Sequence, residues 1–263
     1  MIRLATWNIN SLRIRGEILS RFIEQMRPDV LCLQETKVED ALFPHDLVAA
    51  LGFPHVVFSG QKSYNGVAIL SKLPLHEMHC MDVIGNAEKR HISARLDSGI
   101  RLHNFYVPAG GDLPDAQLNP KFADKLRFVD AMRDWSALIA QKDEPVLAMG
   151  DFNIAPHPND VWSHKQLLDV VSHTPIEVEK FTAAQNAGKW IDVARQFVPE
   201  TEKLYSWWSY RNRDYAASNR GRRLDHIWAS PALTSRCIAS HITSETRAWE
   251  SPSDHVPVLV DIV

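Results

Sequence analysis

The sequence predicts an α/β domain in which two β-sheets pack against each other and helices cover them from outside. Three observations carry this. Short apolar runs of strand length recur along the chain, and several pair as hairpins. Only two segments carry a long apolar stripe at helical spacing. No repeat, low-complexity tract or linker divides residues 1–263, so they read as a single domain. Composition agrees, since 45% apolar and 23% charged residues are ordinary for a globular protein with a sizeable core.

Each element follows from its residues. Ile2-Arg3-Leu4-Ala5-Thr6-Trp7 alternates as a strand and ends in Asn8-Ile9-Asn10, which sets two amides on one side. Ile14, Ile18, Phe22, Ile23 and Met26 recur at helical spacing, and Pro28 stops that helix. Asp29 to Leu33 is a second buried strand, ending in Gln34-Glu35. Val56 to Phe58 and Val67 to Leu70 read as paired strands around a polar loop, Gly60 to Gly66. Ile92 to Leu96 and Arg101 to Phe105 form a hairpin around Asp97-Ser98-Gly99, and its second strand delivers Tyr106. Asn119-Pro120 opens a helix with the stripe Phe122, Leu126, Val129, Met132, Trp135 and Ile139. Pro145 to Ala148 is a buried strand that runs into Met149-Gly150-Asp151-Phe152-Asn153. Residues 157–203 are expected to be helical in pieces. Leu224 to Ala229, Arg236 to Ile242 and Val256 to Ile262 supply the last strands.

Charge and cysteine usage narrow the class. A formal net charge of -3 excludes a surface coated in positive charge but leaves room for a local basic patch. Cys32, Cys80 and Cys237 are few, scattered and odd in number, which excludes a disulfide framework and a four-thiolate zinc site. The expected setting is a reducing, cytoplasmic compartment. No basic-then-apolar leader opens the chain, and no run approaches the ~20 apolar residues of a membrane helix.

The polar strand ends carry the chemistry. Asn8, Asn10, Glu35, Tyr106, Asp151 and Asn153 lie at predicted C-terminal ends, while Asp225, Asp254 and His255 lie at predicted starts. In a mixed sheet one strand's end neighbours the next strand's start, so all of them can share one rim. Four carboxylates packed together repel unless a cation or proton intervenes. Oxygen donors without cysteine favour a hard ion, Mg²⁺ or Mn²⁺. Such an ion beside a His–Asp pair suits hydrolysis at phosphorus, where negative charge builds on oxygen. Two decoys are set aside. His226 alternates away from the rim if Asp225 points in, and His76-Glu77-Met78-His79-Cys80 mimics a metal cluster without a partner.

Trp7-Asn8, Leu33-Gln34-Glu35, Gly150-Asp151-x-Asn153, Arg223-Leu224-Asp225 and Ser253-Asp254-His255-x-Pro257 stand in the order found in the exonuclease III family of abasic-site endonucleases, within the endonuclease/exonuclease/phosphatase superfamily. The chain resembles that family from residue 2 to residue 262, and Tyr106-Val107-Pro108 with Tyr205-Ser206-Trp207-Trp208 point to its DNA-repair branch. The resemblance implies a four-layered α/β sandwich, two mixed sheets face to face and flanked by helices. It makes Glu35 the principal Mg²⁺ ligand, with Asn10 (an aspartate in many relatives) and Asp254 at neighbouring or alternate metal positions. Asp151 would orient or deprotonate the attacking water, or protonate the leaving oxygen. Asn8 and Asn153 would hold water and phosphate, and Asp151, Asn153 and His255 also stand among the residues of the metal site. His255, oriented by Asp225, would donate to a phosphate oxygen, and Tyr106 would lie near the scissile phosphate.

The segment after Trp207 interleaves Trp208, Tyr210 and Tyr215 with Arg211, Arg213, Arg220 and Arg222, a pattern suited to DNA phosphates and an extrahelical sugar. By resemblance, Trp207 and Leu224 wall the pocket for an abasic deoxyribose, with Arg222 where relatives often carry an apolar side chain. Lys62, Tyr64, Asn65 and Arg90 are expected DNA contacts, and Ala109 replaces a common amide. The implied activity is Mg²⁺-dependent cleavage of double-stranded DNA 5′ to abasic sites, with 3′→5′ exonuclease and 3′-end cleaning, by a monomer. The alternatives are a relative acting on phospholipid or inositol phosphates, and a DNA-binding relative without catalysis.

Overall fold

The computed structural model describes residues 1–211 and 214–263. Its described residues form β1 (Ile2–Asn8), β2 (Val30–Gln34), β3 (His55–Ser59), β4 (Val67–Ser71), β5 (Leu75–His79), β6 (His91–Leu96), β7 (Arg101–Tyr106), β8 (Val146–Asp151), β9 (Ile191–Asp192), β10 (Asp225–Ala229), β11 (Cys237–Ile242) and β12 (Val258–Ile262). These make two six-stranded sheets, ordered β11-β12-β1-β2-β4-β3 and β5-β6-β7-β8-β10-β9. Each sheet has a parallel pair near its centre, β1 with β2 and β7 with β8, flanked by antiparallel neighbours.

Strand alternation builds the layers. Leu4, Cys32, Ile69, Leu102, Leu147, Met149, Ile227 and Val260 fill the space between the sheets. The intervening residues Ala5, Trp7, Leu31 and Leu33 face outward and pack on Ile18, Leu19, Phe22 and Ile23 of the helix Gly16–Met26. On the far side, Phe105, Val146, Ala148 and Trp228 pack on the helices Pro120–Ile139 and Pro175–Ala187. Helix, sheet, sheet and helix are the four layers the resemblance implied.

Local departures have physical reasons. The first helix begins at Gly16 rather than Ile14, which is exposed. Asn119 caps the Pro120 helix as expected, accepting from Lys121 N. Its apolar stripe is interrupted, because Leu126 and Trp135 are only partly buried while Lys125 and Ser136 are fully buried. The helix Pro175–Ala187 carries an unread start signal in the uninformative stretch. Thr174 and Glu177 form a reciprocal capping box around Pro175.

Candidate active site

The two parallel pairs explain why distant residues meet. Within the sheets Asn8 lies opposite Gln34, and Asp151 lies between Tyr106 and Asp225. The C-terminal ends of β1, β2, β7 and β8 therefore share a rim with the start of β10 and the loop before β12. Gly150 is required for this close approach. Its φ is 144°, and a Cβ there would fall 1.9 Å from Phe105 O on the neighbouring strand. Beneath the rim Gln34 donates to Thr6 Oγ1 and Asn104 Oδ1 at 2.9 and 2.7 Å, tying the sheets together with a buried amide.

At the centre His255 stands between two buried carboxylates. Its Nδ1 lies 2.8 Å from Asp225 Oδ2, and its Nε2 lies 3.6 Å from Asp151 Oδ2. Burial disfavours the imidazolium, but Asp225 and then Asp151 outweigh it and raise His255 to about 10. Asp151 is raised to about 7, chiefly by burial, with His255 opposing and Asp225 adding repulsion. The pair thus shares a proton near neutrality. Asp151 is also held rigidly. Its Oδ2 accepts from Asn8 Nδ2 at 2.9 Å and Asn153 Nδ2 at 3.0 Å, and its Oδ1 accepts from Asn153 N. Among the described residues, Asp151, Asp225 and His255 are the one acidic-imidazole group close enough to share a metal, within 4.8 Å of one another. Here the imidazole itself bridges the carboxylates.

Glu35 defines the other half of the site. It accepts from Asn8 Nδ2 at 2.9 Å and from the Tyr106 hydroxyl at 2.8 Å. Burial works against its charge, yet donors from Asn8, Lys37 and Tyr106 hold it below the usual carboxylate range. The Lys37 ammonium touches both Glu35 Oε2 at 2.8 Å and Asn10 Oδ1 at 2.5 Å. A cation already rests where these oxygens converge, so the pair suits a hard ion. Asn10 also donates to Asp254 Oδ1 at 3.3 Å, which carries the oxygen-lined strip onward.

A cavity of about 840 Å³ opens over these groups. Glu35, Asp151, Asn153, Asp254 and His255 floor it, and Trp207, Leu224, Trp162, Arg211, Arg220 and Arg222 wall it. The Trp207 indole donates to Asp254 Oδ2 at 3.0 Å, linking wall to floor. Arg220 lies over Trp162, and Arg222 lies over Trp207. Arg213 lies outside the described residues. Arg90 covers the Tyr106 ring at 4.7 Å and pairs with Glu88. Lys62 and Tyr64 are exposed on their loop. Asn65 departs from expectation. It is buried, and its amide donates to Gln61 within the loop, so it shapes the loop rather than presenting a side chain. The decoys stay apart: His226 is buried against Phe152 and bonds Ile154 O, and the exposed His76 pairs with Asp97.

Residues 5–255 match the model of the Endonuclease/Exonuclease/phosphatase family. The chain belongs to that family. Within it, the chain is 34% identical to an exodeoxyribonuclease III of Haemophilus influenzae, over 98% of both chains. Two solved family structures superpose over the whole chain. An AP endonuclease from Archaeoglobus fulgidus does so with TM-score 0.90 and 32% identity, over 99% of its length. A Neisseria 3′ phosphatase bound to product DNA hairpin gives 0.92 and 31%, over 100%. No helix among the described residues is long and apolar enough to cross a membrane.

This endonuclease/exonuclease/phosphatase site also contains residues the sequence reading missed. Ser206 Oγ donates to Asp225 Oδ2 at 2.7 Å and accepts from the Leu224 and Asp225 amides, fixing the carboxylate that fixes His255. Ser253 Oγ donates to Asn8 O and accepts from His255 N, while Trp7 Nε1 donates to His255 O. Lys125 is buried behind Asn153, donating to Asn153 O at 2.7 Å and Ala109 O at 3.2 Å, and it pairs with Glu177 at 2.5 Å. Ser206 and Ser253 had a visible signal, since both lie within the quoted motifs. Lys125 had none, because a lone lysine on a helix reads as exposed.

Proposed function

We propose that this chain is a Mg²⁺-dependent phosphodiesterase of double-stranded DNA, cutting 5′ to abasic sites and cleaning or resecting 3′ ends. The carrying observation is the buried Asp225–His255–Asp151 array at the floor of a cavity walled by Trp207, Leu224 and arginines. Acid–base groups and an aromatic-walled, arginine-lined chamber occur there together.

The residues fit these roles. His255, held protonated between carboxylates, donates to a non-bridging phosphate oxygen and steadies the charge that grows there. Asp151, fastened by Asn8 and Asn153, faces the attacking water and takes its proton, and its raised affinity for a proton suits a base working near neutral pH. Asn153 and Asn8 present amides to water and phosphate. Tyr106 steadies Glu35 through its hydroxyl. Glu35 would hold Mg²⁺, with Asn10 and Asp254 beside it, and the ion would supply a positive charge against the phosphate oxygens. Trp207 and Leu224 receive the abasic sugar, and Arg211, Arg220, Lys62, Tyr64 and Arg90 meet the DNA backbone.

The test is an end-labelled duplex carrying one tetrahydrofuran abasic analogue, with Mg²⁺, with EDTA, and beside the undamaged duplex. The expected result is one Mg²⁺-dependent nick 5′ to the analogue. A ladder from the 3′ end on both duplexes would place exonuclease action first. No product from folded protein would remove DNA as the substrate.

A further inference from the structure

We propose that Arg247 is a positioning residue that seats the segment after Trp207 where DNA is received, and that it governs affinity for DNA rather than the chemical step. This rests on the DNA phosphodiesterase reading above. Arg247 lies on the short 3₁₀ turn Ser244–Ala248 and is not among the residues that line the cavity. Its side chain is buried. Among the described residues, its partners all come from the segment. The guanidinium lies 5.0 Å from the centre of the Tyr210 ring and 4.8 Å from that of Tyr215, and Nη2 donates to Trp208 O at 3.3 Å. None of these partners is a carboxylate, and Nε is buried without a partner.

A buried guanidinium without an acid depends on ring faces and carbonyl oxygens to offset its desolvation. Arg247 has them only while Trp208, Tyr210 and Tyr215 lie against it. Its charge and the seating of the segment therefore stabilise each other. Arg223 is the contrast. It is buried against Asp160 and Asp192, and its charge is matched by acids wherever the segment lies.

The residues next to these partners face the substrate. Trp207 and Arg211 flank the stretch from Trp208 to Tyr210 and wall the cavity, as does Arg220 beyond Tyr215. The base of the segment is tied by backbone, since Trp208 N donates to Asp254 O at 2.9 Å and Arg222 N to Trp207 O at 3.0 Å. Further out, Tyr210 is fixed at its hydroxyl, which donates to Pro252 O at 2.8 Å and accepts from Arg15 Nη2 at 2.9 Å. Arg247 holds the face of that ring and joins it to Tyr215, whose other described ring contact is Trp208 at 6.0 Å. Without Arg247 the Tyr210 and Tyr215 rings lose their common support. DNA must then order the segment as it binds. A segment seated only about a tenth of the time would weaken apparent affinity roughly tenfold, with the Asp225–His255–Asp151 array untouched.

The experiment uses Arg247→Met, which keeps an apolar stem but removes the charge and the planar fork. On the tetrahydrofuran duplex with Mg²⁺, KM should rise roughly tenfold while kcat stays within about twofold. In the free protein, trypsin should cut after the exposed Arg211 faster than in wild type. Arg247→Lys keeps the charge without the stacking plane and should fall between the two. Tyr215→Leu should raise KM and tryptic cleavage less, and should add little in the Arg247→Met background, because both changes remove one stack. A merely structural loss would lower the active fraction and leave KM unmoved. An unchanged KM in folded Arg247→Met overturns the inference, as does a fall in kcat as large as that in kcat/KM. If Arg247→Met does not fold, Tyr215→Leu decides, and wild-type KM and tryptic cleavage in it overturn the inference. In each of these cases cleavage by the wild-type protein leaves the phosphodiesterase reading standing. Wild-type protein that cleaves no duplex overturns both.

Discussion

Two buried ionic clusters lie next to each other, joined through Arg223-Leu224-Asp225, and their charge balance is opposite. In the first, Asp160 accepts from Arg223 through both oxygens, at 2.8 and 2.9 Å, and from Arg195 at 2.5 Å. Arg223 also pairs with Asp192 at 2.7 Å. Two guanidiniums meet two carboxylates, and the charges cancel. In the second, Glu35, Asp151, Asp225 and Asp254 share a rim, and among the described residues the cations in ion-pair reach of them are His255 and Lys37. One oxygen there, Asp225 Oδ1, is buried without a partner. Both clusters bear the desolvation cost of burial. The matched one recovers it by locking the loop after Asn153 to β10. The unmatched one leaves a negative excess that a metal ion and a proton can satisfy, which is the signature of a site.

Substitutions sharpen this contrast. Asp151→Asn removes a base without removing bulk. Turnover with Mg²⁺ should fall by roughly 10³–10⁴ or more, while the thermal midpoint holds or rises. DNA binding by fluorescence anisotropy should persist, and substantial residual cleavage would remove Asp151 from proton transfer.

Asp160→Ala should do the reverse. It leaves two buried guanidiniums, Arg195 and Arg223, with Asp192 as the remaining carboxylate, and should cost about 3–5 kcal/mol of stability in urea unfolding, with turnover per folded molecule still measurable. If the loss is under about 1 kcal/mol, the cluster is not the lock described.

His255→Ala removes one donor to the phosphate. The barrier should rise by about 3 kcal/mol, as for an oxyanion donor, seen in kcat more than in KM. A rate within a few-fold of the parent would take it out of the chemistry.

The smallest effect is on pH. Burial opposes the charge of Asp160, but Arg223 and Arg195 hold it at about 2. The unfolded chain therefore binds more protons between about pH 4 and 2, so the stabilisation of about 2 kcal/mol is present above that window and lost as pH falls through it. His91 and His226, lowered to about 3 by burial, act earlier. In the unfolded chain they protonate from about pH 6.5 downward, so stability should start to fall there. Metal-free thermal melts from pH 7.5 to 4.5 should show the midpoint declining. Asp151, raised to about 7, binds its proton in the folded chain over the same range and offsets part of that loss. A flat profile in the Asp151→Asn protein would therefore mean these imidazoles take up protons without cost.

How much of this was legible in the residues depends on range. The strand runs, the hairpin at Asp97-Ser98-Gly99 and the Asn119-Pro120 helix start are local signals, and each stands where the sequence predicts it. The rim residues were legible because polar groups closing apolar strands have few other reasons to be there. Asn65 was misplaced because a loop asparagine looks exposed until Gln61 is seen beside it. Lys125, buried against Glu177, could not be found, because its partner lies 52 positions away on another helix.

By itself the sequence determined which side chains would stand at strand ends, since alternation and turn chemistry act within a few residues. Tertiary structure alone decided that these ends would meet. The parallel pairing of β1 with β2 and of β7 with β8 aligns four C-terminal ends, and packing of the two sheets brings Asn8 of one within 2.9 Å of Asp151 of the other. It also decided charge matching. Arg222 and Arg223 are adjacent and identical in the sequence, yet one turns to the carboxylates of the interior and the other to the cavity. That difference rests on successive residues of an extended chain facing opposite sides and on what each side contains.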